Sequence, residues 1–195
     1  MTLLIVGLVL FLGVHVLPAF PDVRDGLRDR FGAGTYKAIF SVLSLAGFAI
    51  IIFGYHKMQL HVGGKNPIVW DPPVWTRHIA LLLMLPAMIL IVAANVPSRI
   101  RTAVRHPMLL AIKLWALAHL LSNGDLASLL LFGSFLAYAI YDRISVKKRG
   151  ALGPLGDAQP SSPINDLVVV GVGLALYAAL LMGGHQWLIG VSPLG

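Results

Sequence analysis

Four stretches of the chain, 2–20, 35–54, 79–96 and 167–189, are each apolar over about 20 residues, the length a helix needs to cross a bilayer core of about 30 Å. A fifth region, 107–140, is apolar throughout except for the polar turn Ser122-Asn123-Gly124-Asp125. That turn divides it into two helices, 107–121 and 126–141, the first short enough to be tilted or re-entrant. The pattern predicts an all-α polytopic membrane helical bundle of about six spans, a single membrane domain over 1–195. Composition agrees, with 57% hydrophobic and only 12% charged residues.

The cations between the runs set an expected orientation. Arg24, Arg28, Arg30, Lys37, Arg99, Arg101, Arg105, Arg143, Lys147, Lys148 and Arg149 fall on one side, against Lys57, Lys65 and Arg77 on the other. By the positive-inside rule, eleven against three puts both termini outside the cytoplasm. Lys113 lies within a turn or two of the cytoplasmic end of its helix and can snorkel. The net charge of +7 is spread over short connectors instead of one tract, so nucleic acid is not the expected partner and the lipid bilayer is. Segment 2–20 lacks the basic start and small-residue cleavage site of a signal peptide and reads as a retained first span. Segment 150–163, rich in Gly, Pro and Ser, reads as a flexible cytoplasmic linker.

Chemistry is narrowed by what is missing. The chain has no cysteine, which excludes disulfides and thiolate metal sites, and all eight acidic residues are aspartates. Seven histidines then make imidazole the main candidate ligand and proton carrier. His15 and His119 each lie about two-thirds of the way along a span, at heights that differ by about 8 Å. Each has two readings from the residues alone. One is a hydrogen bond to a carbonyl on a neighbouring helix. The other is ligation, and haem suits it because iron accepts a neutral nitrogen and the ring tolerates an apolar pocket. A lone zinc ion suits it less, since the spans lack the carboxylates that usually orient ligating histidines.

Other motifs have plainer readings. His56, His61 and His78 cluster around the second connector, and His185 ends the last span on the same side, as interfacial histidines or as an outer-face metal or proton site. Trp70, Pro72, Pro73 and Trp75 fit an interfacial aromatic belt with a rigid turn. Arg105-His106-Pro107 reads as a helix start with proline in the first position. Asp125 is placed to cap the helix that follows it, and Asp25 to pair with Arg28 on a solvated face. Pro18, just after His15, marks a kink or a helix end.

Three segments together resemble the NnrU family: GTYKAIFSVLSLAGFAIIIFGY (34–55), WDPPVWTRHIA (70–80) and RHPMLLAIKLWALAHLLSNGDLASLLLFGSFLAYAIYDR (105–143). With His15, the similarity extends over most of 1–143. The family is named for an association with denitrification and nitric oxide reduction, which implies a bacterial cytoplasmic (inner) membrane location. The 15-cis-zeta-carotene isomerases resemble this family, and in them haem b is held by two histidines. The resemblance implies haem b with iron ligands His15 and His119, and Trp115, His56, Arg105 and His106 among the cofactor-binding residues. His56 follows His15 by 41 residues, the spacing of a further important histidine in the isomerases. Their cysteine, three positions before the second ligand, is Ala116 here.

The function implied is that of a haem protein linked to nitric oxide metabolism, or a redox-dependent isomerase acting on a hydrophobic polyene lipid. A non-enzymatic membrane partner in assembly or regulation of nitrogen-oxide reductases is the alternative. A third reading is an S-adenosylmethionine-dependent membrane methyltransferase, because Arg105-His106-Pro107 resembles the helix start at the S-adenosylmethionine site of isoprenylcysteine carboxyl and phospholipid methyltransferases. Those enzymes also use a glutamate-containing segment, and this chain has no glutamate.

Overall fold

The computed structural model describes residues 1–60, 66–151 and 162–194. His61 and most of the 150–163 segment lie outside the described residues. Among those described, the chain is all-α: α1 (Thr2–Val16), α2 (Pro21–Phe31), α3 (Ala33–Gln59), α4 (Val74–Ala93), α5 (Arg99–Val104), α6 (Pro107–Ser122), α7 (Leu126–Lys148), α8 (Pro163–Ala179) and α9 (His185–Ile189). Five helical stretches are long and apolar enough to cross a membrane, and α6 is a shorter apolar helix between two of them. The chain is a helical membrane bundle.

Several boundaries differ from the apolar runs. Helix α3 continues past Gly54 through the more polar Tyr55–Gln59 stretch, because a helix is limited by caps and not by hydropathy. Helix α4 begins directly after Pro72 and Pro73, before the apolar run itself. The segment Pro21–Phe31, expected only as a solvated face, is a helix entered through Pro21. Asp25 pairs with Arg28 there at 3.8 Å, as its spacing predicts, but the closer partner is Arg24 at 2.8 Å. Helix α1 passes into a 3₁₀ turn, Leu17–Ala19, that contains Pro18.

The chain divides into two compact units, Met1–Asp71 with Asn123–Ser145, and Pro72–Ser122 with Val146–Gly195. In the first, α1 and α3 run antiparallel with their backbones almost touching. A Cβ on Gly7 would meet the Ile51 backbone at 2.6 Å, one on Gly47 would meet Phe11 at 2.8 Å, and one on Gly54 would overlap Leu4. Glycine is what permits this approach, as in small-residue helix interfaces generally. Helix α7 lies against both, through Phe135 on Phe11 and Tyr55 on Phe132.

The same unit fastens connector 66–71 to the turn before α7. Val69 and Trp70 donate backbone hydrogen bonds to the Gly124 carbonyl, and Leu126 donates to that of Pro67. Asp125 caps α7 by accepting from the Ser128 N–H at 3.0 Å, and also accepts from Asn66 (2.8 Å), Gln59 (3.1 Å) and the Ser128 hydroxyl (2.6 Å). Since that hydroxyl proton is spent, Tyr55 donates to Ser128 Oγ at 3.0 Å. Burial pushes the Asp125 carboxyl up, but the Ser128 and Asn66 hydrogen bonds outweigh it and hold the group below its ordinary value. A depressed carboxyl contributes stability that is complete above the unfolded value of about 3.9 and lost as pH falls through the lower folded value. Thermal unfolding in detergent is therefore expected to weaken with acid in that window, and the Asp125→Asn variant to lose that part of the dependence. Identical acid profiles for the two proteins would refute the assignment.

In the second unit α4 packs against both α6 and α8. Gly173 lets α8 approach Ile89, where a Cβ would sit 2.6 Å from the Ile89 Cα. Tyr177 donates to the Leu81 carbonyl at 3.1 Å, and Asn165 to that of Pro97 at 2.8 Å. Asp166 accepts from the Arg99 N–H at 2.8 Å, and Ser98 caps α5. The contacts pair ascending α4 residues with descending α8 residues, so these helices are antiparallel.

Candidate functional site

His15 occupies the last turn of α1, and its Nδ1 lies 2.7 Å from the Phe11 carbonyl one turn back. A carbonyl only accepts, so Nδ1 carries the hydrogen and Nε2 carries the lone pair. Rings surround it: Phe11 stacked at 4.2 Å, Phe40 of α3 at 5.2 Å and Tyr138 of α7 edge-on at 6.2 Å. The result is a half-buried imidazole set among aromatic rings, with its Nδ1 held by its own helix.

His119, in the second unit, repeats the arrangement. Its Nδ1 lies 2.8 Å from the Trp115 carbonyl, again four residues back, and the Trp115 ring is 5.3 Å away. Each of these two hydrogen bonds stays within its own helix. Ligating histidines commonly hold their second nitrogen on a backbone carbonyl in this way, which orients the ring and raises its basicity.

The other sequence candidates are dispersed. His56 is exposed near the end of α3. With Gly54 facing Leu4 and Gly47 facing Phe11, it stands roughly 20 Å along the helix pair from His15. Arg105 and His106 form the turn between α5 and α6, roughly 18 Å along α6 from His119. Arg105 there has φ 65°, a left-handed conformation uncommon outside glycine, and Pro107 opens α6. His78 is exposed on α4.

A family model described as NnrU protein matches residues 3–193. The chain belongs to the NnrU family. No curated protein and no solved structure matches it. The family match runs through the last span, where the residue motifs alone are uninformative.

Sequence reasoning about this NnrU protein missed Phe40, Tyr138 and the position of His185. Phe11 had a signal, its four-residue spacing from His15. Phe40 and Tyr138 had none, because only tertiary packing brings α3 and α7 to the His15 ring. His185 was expected at the end of a continuous helix. Instead its ring lies 6.4 Å from that of His119, inclined by 28°. Among the described residues no three His, Cys, Asp or Glu side chains gather as a ligand set for a free metal ion. Haem iron needs one or two protein nitrogens, since the macrocycle supplies the rest.

Proposed function

We propose that this NnrU family protein is an integral membrane haem b protein with His15 and His119 as iron ligands. One observation carries the reading: in both histidines Nδ1 is held by a carbonyl of the same helix, so Nε2 is the donor atom a haem iron takes. The donor set fits the group chemically, being two imidazole nitrogens in apolar and aromatic surroundings, without a thiolate.

Haem bound there would supply a redox-active iron which, with one coordination position open, can bind nitric oxide or act on the double bonds of a polyene lipid. Phe11, Phe40 and Tyr138 pack against the half-buried His15 ring and limit its rotation. Trp115 borders His119 and supplies the carbonyl that orients it. Ala116, fully buried beside it, offers no second ligand. His56 from His15, and Arg105 and His106 from His119, are separated by roughly 18–20 Å along their helices, so these polar groups stand away from the proposed ligands. The proposed location is the bacterial inner membrane with both termini periplasmic, following the distribution of basic connectors.

Protein purified from haem-replete cells is expected to be coloured and to yield haem b on extraction. The His15→Ala variant is expected to lose low-spin ferric haem, and His119→Ala to shift the spectrum. A colourless wild-type protein, or unaltered spectra in both variants, overturns the assignment.

A further inference from the structure

The run 167–189 is apolar enough to make one straight helix, yet the chain breaks it. Helix α8 ends at Ala179, residues Leu180–Gly184 are wound as a π-type turn, and Gly183 leaves the helical region altogether at φ 119°, ψ −12°. Only glycine takes that conformation without strain. Gly184 is required for a different reason, since a Cβ there would approach the Ala179 carbonyl oxygen to 2.6 Å. Then α9 lasts only from His185 to Ile189, and Gly190, left-handed at φ 86°, turns the chain back.

These departures have a common result at His185. The turn at Gly190 brings the Val191 carbonyl within 2.6 Å of His185 Nδ1, which therefore carries the hydrogen and leaves the lone pair on Nε2. The break at Gly183 sets the imidazole beside His119, with centroids 6.4 Å apart and planes 28° from parallel. Helix breaks of this π type concentrate at functional sites, because they re-aim a side chain at the expense of regular hydrogen bonding. A merely interfacial histidine at the end of a span needs none of this.

We propose that His185 is a second iron-binding imidazole of this unit, paired with His119, and that it ligates the haem iron when His119 does not. The inference rests on the haem reading above. Such an exchange would break one iron–nitrogen bond and form another, with no electron or proton transferred. Because both rings hold their Nδ1 hydrogens on backbone carbonyls, either can present the same neutral nitrogen.

Glutamine variants test this while retaining an N–H for the carbonyl each histidine uses. Haem content and the ferric spin state, read by electron paramagnetic resonance, are compared for wild type, H119Q, H185Q and H119Q/H185Q in detergent. H119Q is expected to keep low-spin haem with shifted g-values, and the double variant to lose it to high-spin. Gly183→Ala, which denies the chain its turn at φ 119°, is expected to make H119Q behave like the double variant. A haem-loaded H119Q protein already as high-spin as the double variant overturns the role of His185 and leaves the haem reading standing. A wild-type protein without haem overturns both.

Discussion

Replacing Gly54 with leucine is expected to force α1 and α3 apart and destabilise the protein by about 3 kcal/mol or more. At this position there is no side chain to move aside. A Cβ would overlap the Leu4 backbone, and the next two turns of the interface are closed by Gly7 on Ile51 and Gly47 on Phe11. Overpacking in a soluble core is relieved by rotamer changes, but here the obstacle is main chain on both sides. The helices must separate along their whole contact, which removes van der Waals packing where hydrophobic association gives little, both helices being apolar toward lipid as well. Gly13 of α1, whose Cβ would meet nothing within 4 Å, supplies the control. Gly13→Leu is expected to change stability by about 0.5 kcal/mol or less. Thermal unfolding in detergent distinguishes the two, and equal midpoints for both variants would sink the proposed interface. The effect extends to the candidate site, because α1 carries His15 and α3 carries Phe40 of its aromatic enclosure.

The spans were legible in the sequence because membrane helices are specified by length and apolarity, a signal that needs no tertiary information. The break at 122–125 and the cap at Asp125 were legible for a similar reason, since turn and capping chemistry are local. Helix α2 was not recognised, although Val23, Leu27 and Phe31 recur at four-residue intervals, because its many charges masked the period. The last span misled in the opposite direction. Its uniform apolarity concealed a break whose only trace is the pair Gly183-Gly184, and in an apolar span glycine is common enough to pass unnoticed. That one local feature decided the position of His185. The candidate histidines themselves stood out as ionisable groups in apolar runs, but their surroundings could not, since Phe40 and Tyr138 reach His15 only through the packing of separate helices.

The second large effect is expected at Gly124. It sits inside the turn that reads as simple punctuation between helices, yet a Cβ there would overlap the Trp70 carbonyl oxygen. Glycine at this point lets the connector 66–71 lie directly on the turn, so Val69 and Trp70 reach the Gly124 carbonyl at 2.8 and 3.3 Å and Leu126 reaches Pro67 at 2.9 Å. A valine would push the two backbones apart and break all three bonds together. At roughly 1 kcal/mol each, with groups left unpaired near a membrane interface, the loss is about 3 kcal/mol. The Asp125 carboxylate would lose Asn66 with the connector, while its cap on Ser128, local to α7, would survive. Gly124→Val is therefore expected to expose residues 66–71 to proteolysis and to speed amide exchange at Val69 and Leu126, while the first turn of α7 stays protected. Unchanged exchange at Val69 would show that the connector is held by something other than this backbone clamp.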